Sequence, residues 1–405
     1  MRKKGEKGGG GCPACVKVYC GRGLLLLCDT FLSSSLPPSL SSFLPSFFLS
    51  FHPSFFLPFL FPFLPSILPS SLPFLLLPLP TPPPPRHFPG YVECILPVNV
   101  RPTHVSISYL QKSELTNRLQ IIYPGTLIRN FTVCYSVLHS GFSSPSQLIQ
   151  SIEMNRILGA EHFVVYNYSI SPAVDQILQR YQQDGLVTVV PWPVPTWEVQ
   201  YYGQMAAVND CGYRNRNISR YVVVVDTDEF IIPRKNLNWM ELLDSISAEE
   251  YGVSAFMHRA KQLGKGPKTI GSFEFRSSLF AVSTTPIWSE LPSQFHFSEE
   301  EKNNIQQFNL FTLSQFWRSE EIYPPQIRSK YIIRPELVYI MGIHFVHSFV
   351  GNVSAVTVDV NSALVHHYRT LRYGNVKDTS IIKFKNRLYP RLIQQCQRFP
   401  SIFTF

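Results

Sequence analysis

The sequence predicts an α/β chain organised on a mostly parallel central sheet with helices on both faces. Three observations carry that expectation. Apolar runs alternate with helical periods between residues 131 and 225, the first two helical stretches open on Ser-Pro and close on Gly, and the strongest apolar run, Tyr221–Val225, stops abruptly at Asp226-Thr227-Asp228-Glu229. Strand-helix-strand alternation is what right-handed crossovers between parallel strands require.

The elements follow in order. Residues 92–130 hold short apolar runs with turn signals such as Tyr123-Pro124-Gly125 and read as strands and loops. FTVCYSV (131–137) is a buried-strand run. Ser144-Pro145 opens a helix carrying Leu148, Ile149, Ile152, Met154 and Leu158, closed by Gly159. HFVVYNY (162–168) is the second strand, and Ser171-Pro172 opens a helix with Val174, Ile177, Leu178 and Tyr181 at helical spacing before Gly185. LVTVVPW (186–192) is the third strand, a helix around 201–213 follows, and YVVVV (221–225) is the fourth. Beyond Pro233 the pattern predicts a helix over 237–246, a strand over 253–258, a Gly/Lys-rich loop over 261–271, and short strands leading to GIHFVHS (342–348) and ALVHHYR (363–369).

The first 90 residues are another object. No Asp, Glu, Lys or Arg occurs between Thr30 and Pro85, and 16 of the 34 prolines lie between Phe31 and Gly90. The tract is long and apolar enough for a membrane span, but a proline every three to five residues breaks the helical ladder. Its unit Leu44-Pro45-Ser46-Phe47 is what the tetranucleotide CTTC yields when repeated and read in triplets. The segment 1–90 is therefore expected to be low-complexity and unfolded, a gene-model artefact or a displaced membrane anchor, with the folded domain over 91–405. Cys12-Pro13-Ala14-Cys15 has zinc-like spacing, but no second pair completes four ligands.

The chain carries 36 Lys+Arg against 27 Asp+Glu, a formal charge of +9. That excess is split: six basic and two acidic residues lie in 1–30, eight basic and one acidic in 366–400. Basic residues at the two ends, not interleaved with aromatics on one platform, argue against nucleic-acid binding. No P-loop, no GxSxG elbow and no GxGxxG after a strand is present. A glycosidase pair is disfavoured too, because adjacent Asp228 and Glu229 after a parallel strand poorly match carboxylates facing each other across a sugar.

In open α/β sheets ligands bind beyond the carboxyl ends of the strands, which is where Asp226 and Asp228 stand. Hard divalent ions take carboxylate oxygens and commonly bridge to a diphosphate, the arrangement a nucleotide-sugar transferase needs as its leaving group gains charge. His344, His347, His366 and His367 form a second candidate cluster; imidazole suits Mn²⁺, and Arg369, Arg372 and Lys377 could meet phosphates. Sequons at Asn130, Asn167, Asn217 and Asn352 mildly favour a secretory lumen, where Cys94, Cys134, Cys211 and Cys396 allow three disulfide pairings; Cys134 and Cys211 could equally be buried thiols.

IEMNRILGAEHFVVYNYSI, VVPWPVP, GQMAAVNDCGYRN with YVVVVDTDEFIIP, and ALVHHYR occur in this order over about 130–370, and together they resemble glycosyltransferase family 92. The resemblance implies a GT-A-like nucleotide-diphospho-sugar transferase fold and an inverting, metal-dependent transfer, with galactose passing from UDP-galactose to a glycan or glycoprotein acceptor in β-linkage. It also implies a single-pass type II Golgi membrane protein with a lumenal catalytic domain. Carried onto this chain, Asp226 and Asp228 hold Mn²⁺ (or Mg²⁺) and the UDP diphosphate, with His367, and after it His344, as further metal ligands. Glu229 shapes the site through its neighbours or acts in the chemistry. Gln204 and Asn209 line the donor pocket or serve as polar core groups, and Glu274 and Asp359 are candidate general bases. A rival reading keeps the fold as a catalytically silent glycan-binding protein. Against the family pattern, residues 1–90 stand where an anchor and stem are expected, and 285–325 match nothing familiar.

Overall fold

The computed structural model describes residues 101–108, 118–121, 123, 125–194, 199–252, 269–282, 288, 291, 295–369 and 374–403, with two further strands at Cys15–Cys20 and Gly23–Cys28. The expected strand at 253–258, most of the Gly/Lys-rich loop and the tract 30–85 lie outside the described residues. The chain divides into two compact units, 1–84 with 92–121 and 85–91 with 122–405. In the first, the two early strands join His104–Ser108 and Leu119–Gln120 in a four-stranded sheet.

The second unit holds the predicted alternation. Strand β1 (Arg129–Tyr135) leads to α1 (Pro145–Leu158), β2 (His162–Asn167), α2 (Pro172–Gln183), β3 (Val187–Pro191), α3 (Gln204–Arg214) and β4 (Ser219–Val225). The helix starts follow the sequence: Ser171 Oγ accepts from the Val174 amide and caps α2, whereas Ser144 precedes Pro145 of α1 without a side-chain cap bond. Gly159 closes α1 at a φ of 119°, a conformation open to a residue without Cβ.

The main sheet runs β12-β6-β9-β4-β1-β2-β3, where β6 is Thr269–Phe275, β9 Lys330–Ile333 and β12 Val353–Thr357. Strands β3, β2, β1 and β4 are mutually parallel, β9 runs antiparallel between β4 and β6, and β12 lies parallel to β6. From β1 the chain steps outward to β2 and β3, then returns to place β4 on the other side. The β1/β4 boundary is thus the topological switch point where such sheets open a ligand crevice.

Both faces are covered. Phe131, Val133, Phe163, Val165, Tyr221 and Val223 pack with α1, α2 and α4 (Trp239–Gly252) on one face. On the other, Cys134, Val164, Val222 and Val224 meet Ala207, Val208 and Cys211 of α3. Beside them lies the hairpin of β10 (Val338–Met341) and β11 (Val346–Phe349). Cys134 and Cys211 form a disulfide with Cα atoms 6.1 Å apart rather than staying buried thiols, while Cys396 is a buried free thiol, so none of the two-bridge pairings is completed.

A second sheet orders β14 (Val376–Lys377), β8 (Trp317–Arg318), β7 (Ser277–Ala281), β13 (Ala363–Arg369) and β5 (Glu229–Pro233). It is joined to the first through the three residues between β4 and β5. Among the described residues no helix is long and apolar enough to cross a membrane.

Candidate active site

The Asp226-Thr227-Asp228 turn leaves the carboxyl end of β4 and enters β5, so it stands at the switch point and at the seam between the sheets. Two bonds between its ends fix it: the Glu229 amide donates to the Asp226 carbonyl (3.2 Å), and the Asp226 amide donates to Glu229 Oε2 (2.9 Å). Thr227 Oγ1 accepts from Gln147 of α1 at 2.8 Å.

Antiparallel pairing of β5 with β13 then determines which histidine arrives. His367 lies opposite Glu229 and His366 opposite Phe230, and the Tyr368 amide donates to the Asp228 carbonyl. Neighbouring strand residues face opposite ways, so the adjacent histidines part company. His367 Nε2 sits 3.6 Å from Asp228 Oδ2 and its Nδ1 3.4 Å from Glu229 Oε1, while Arg369 Nε lies 3.4 Å from Asp228 and 2.8 Å from His367 Nε2. His366 points into the core, stacked on Phe280 with ring centroids 3.9 Å apart and beside Ser380 Oγ. Burial pushes its pKa down to about 3.

The four histidines are therefore not one cluster. His344 has Lys330 and Asp226 among its charged neighbours, and burial, with Lys330, holds its pKa down. His347 packs edge-on against Phe345.

The other sequence candidates separate as well. Gln204 opens α3 and donates to Ser136 Oγ at 2.7 Å, just beyond β1 at the crevice. Asn209 does not line that crevice. Its amide nitrogen donates to the Met205 and Met341 carbonyls and its oxygen accepts from the Met341 amide, so it clips β10 onto α3 with its bonding capacity used. Glu274 is buried in β6 with its carboxylate accepting the Gln326 amide. Asp359 caps the turn before β13 through the Asn361 amide. It stands near the Ala363–Pro233 end of the β5/β13 ladder, four pairs from His367, on the order of 13 Å away at the usual strand rise. Neither base candidate reaches the carboxylate turn.

Sequence reasoning passed over Lys330. Its ammonium is 2.8 Å from both Asp226 Oδ2 and Glu229 Oε2, with 1% of the side chain exposed. Only its place at the head of the buried run Lys330-Tyr331-Ile332-Ile333 could have flagged it. Burial favours the neutral form of Asp226, but the Lys330 ammonium outweighs it and holds the carboxyl well below its usual range. Glu229, 2% exposed, is shifted upward by burial despite Lys330, with the neighbouring aspartates adding to the rise. For Lys330 burial opposes the charge, and the two carboxylates more than restore it.

Sequence reasoning also passed over the aromatic rim. His139 stacks on Tyr202 at 4.2 Å, Tyr168 leans on the same ring at 4.9 Å, and Tyr201, Tyr202 and Gly203 all have positive φ. Two tyrosines in that region are strained, held by the bond from Trp192 Nε1 to the Tyr202 carbonyl. These residues follow β1, β2 and β3, on the crevice side of the sheet. A polar cleft of about 670 Å³ lies at the opposite end, where Leu186 precedes β3; its Glu153 is already engaged by Arg156 and Tyr181.

The chemistry of this arrangement is a carboxylate and an imidazole facing one point, beside an arginine, at the mouth of a parallel sheet. Asp226 Oδ1 and His367 Nδ1 are buried without a hydrogen bond of good geometry, although the Ser136 hydroxyl lies near enough to Asp226 to favour its charge. Among the described residues no group of three or more His, Cys, Asp or Glu side chains converges to hold a metal alone.

Residues 129–395 match the family model described as Glycosyltransferase family 92. Among curated proteins, the chain is 23% identical over 269 residues to the Caenorhabditis elegans beta-1,4-galactosyltransferase galt-1, covering 65% of this chain and 53% of that one. It is 31% identical over 123 residues to the C. elegans glycosyltransferase family 92 protein F13G3.3, covering 27% and 24%. The chain thus spans about half or less of the length of the curated relatives it matches. Among solved structures, Staphylococcus aureus TarS 1–349 shares 16% identity over 39% of each chain with a TM-score of 0.24. Glucosyl-3-phosphoglycerate synthase from Mycobacterium tuberculosis, in complex with Mn²⁺, UDP and glucosyl-3-phosphoglycerate, shares 12% over 68% and 80% with a TM-score of 0.25. Those two likenesses are too distant to bear on function.

Proposed function

Because this chain belongs to glycosyltransferase family 92, we propose that it is a metal-dependent inverting glycosyltransferase that moves galactose from UDP-galactose to a hydroxyl of a glycan in β-linkage. The observation that carries the reading is the meeting of Asp228, on the turn after β4, and His367, on β13, at the switch point, 3.6 Å apart. A carboxylate oxygen and an imidazole nitrogen suit Mn²⁺, and Mg²⁺ or Mn²⁺ sites beside phosphates need only one or two protein ligands. Two protein donors fit that chemistry, with the diphosphate and water completing the shell. When bound, the cation would offset the charge growing on the departing UDP.

The chain's own residues do the rest. Arg369, 58% exposed beside Asp228, offers a fork to a phosphate oxygen. Asp226 keeps 31% of its side chain exposed at the floor of the crevice, next to Ser136 and Gln204, and can accept from a donor hydroxyl. The aromatic rim of Tyr202, Tyr168 and His139 supplies flat apolar surface for a ring. Inversion requires one base to take the proton of the attacking hydroxyl. Glu229, the candidate nearest the turn, is closed off by Lys330, so that role stays unassigned.

We propose a Golgi location with the catalytic domain in the lumen, and with membrane attachment only where an amino-terminal anchor exists. The Cys134–Cys211 bond supports an oxidising compartment, and the sequon residues Asn217 and Asn352 are exposed. The test is UDP release by the full chain from UDP-galactose, UDP-glucose and UDP-GlcNAc over a glycan panel, with Mn²⁺ and with EDTA. Mn²⁺-dependent release from UDP-galactose is the expected result. Sugar binding without any Mn²⁺-dependent release would favour a silent glycan-binding fold instead.

A further inference from the structure

We propose that Lys330 is a built-in counter-cation that splits the acidic turn into two halves. The half made by Asp226 and Glu229 is neutralised from within, and the half made by Asp228 and His367 stays open to an incoming divalent ion. The inference rests on the metal-dependent reading above and adds a positioning residue to it.

The backbone dictates where this ammonium goes. Lys330 opens β9, pairs with Phe275 of β6, and precedes Tyr331, which pairs with Val224 of β4. A lysine side chain normally runs out to water. This one is buried at 1% exposure and ends 2.8 Å from a carboxylate at each end of the turn, from Asp226 before it and Glu229 after it. A buried ammonium between two carboxylates satisfies both, and removing it leaves two like charges with little water.

Asp228 is paired as well, but with the exposed guanidinium of Arg369, which also donates to His367 Nε2. No ammonium reaches Asp228 among the contacts described, its neighbours are an imidazole at 3.6 Å and the mostly exposed Arg369 at 3.4 Å, and 17% of its side chain is open. A cation entering the crevice therefore meets one carboxylate not already held by a buried lysine. Lys330 also engages Asp226 Oδ2 directly, at 2.8 Å. The turn consequently needs no metal in order to fold.

The test uses the full chain, with free Mn²⁺ followed by electron paramagnetic resonance and no nucleotide present. Lys330→Met releases two carboxylates and removes a repelling charge, so Mn²⁺ should bind about tenfold tighter or more. The variant should also melt lower in EDTA and recover several degrees on adding Mn²⁺, while wild type melts nearly alike in both. Lys330→Met/Glu229→Gln restores the charge balance and should return Mn²⁺ affinity to near wild type. A folded Lys330→Met that binds Mn²⁺ no tighter than wild type overturns the proposal. If Lys330→Met does not fold, a folded double variant supports it and an unfolded one overturns it, because packing rather than charge would then be at stake. If wild type binds no Mn²⁺ even after UDP is added, the metal-dependent reading falls, and the EDTA melting of the single and double variants still decides the role of Lys330.

Discussion

Removing the Cys134–Cys211 cross-link probes both the core and the crevice. The bond closes a loop with a sequence separation of 77 residues between the central strand β1 and helix α3. In the chain-entropy description a loop of that size restricts the unfolded chain by about 4.5 kcal/mol at 25 °C. For a folded unit of this size, with an unfolding entropy of about 0.6 kcal/mol/K, that corresponds to a fall in melting temperature of roughly 7 °C. Both cysteines are fully buried, so reductant added to the native protein should act slowly. The assay is therefore thermal unfolding of protein refolded with and without dithiothreitol, which removes the cross-link and leaves every atom of the packing in place. A Cys134→Ala/Cys211→Ala variant should fall at least as far, since two small cavities are added. A drop under about 3 °C, or two extra reactive thiols in the denatured unreduced protein, would refute the reasoning. The consequence should extend to the site, because α3 begins with Gln204, whose bond to Ser136 spans the same β1–α3 junction.

Further outcomes test the assignments separately. Asp228→Asn should lower UDP release at least ~1000-fold while leaving the melting temperature unchanged or slightly raised, as one of three clustered carboxylates is discharged; activity and differential scanning fluorimetry on one preparation check both. His367→Ala should lose Mn²⁺ response yet stay folded, whereas His366→Ala, emptying a buried stack, should cost about 1–3 kcal/mol with donor KM unchanged. Asn209→Leu should destabilise by about 2 kcal/mol, read by urea unfolding, without changing donor KM, since both of its polar atoms serve the Met341 backbone. Acid should unfold the protein early. His366 sits at about 3 in the folded chain against 6.5 for an ordinary histidine, so below pH 6.5 the unfolded chain binds the extra proton. That contribution is complete above pH 6.5 and fades as pH falls toward 3, on the order of 4 kcal/mol in all, and His366→Phe should flatten the urea-midpoint profile over that window.

How far the sequence reached depends on the range of the interactions. Local signals located the first four strands, the helices between them and the terminating Gly159, because periodicity and caps act within one turn or pleat. The helix expected over 237–246 is present as Trp239–Gly252. The carboxylate turn was legible because an apolar run of five residues that stops at three acids marks a strand end, although Glu229 stays buried against Lys330. The second sheet was not. Pairing of β5 with β13 joins residues 130 to 138 positions apart, and no window of sequence shows which of two adjacent histidines will face Glu229. Lys330 was hidden for the same reason, as a lysine before a strand reads as a solvated end until β4 and β6 enclose it. Asn209 and Asp359 drew attention by residue type, and the fold spends them on a backbone clip and a turn.

Of the two side chains proposed for the cation, His367 is mounted on a hydrogen-bonded ladder and Asp228 on the turn that leads into it. Glu229 and His367 are carried by paired backbone, Asp228 is tied to it through its carbonyl, which accepts from the Tyr368 amide, and the flanking residues Phe230, Ile231, Leu364 and Val365 are wholly buried. Opening that ladder means opening the core, so amide exchange at residues 229–232 and 364–367 should require global unfolding. The proposed cation seat is thus rigid by construction, and admission of a donor there would have to be met by side-chain rotation and by the turns around the crevice, leaving these strands unmoved.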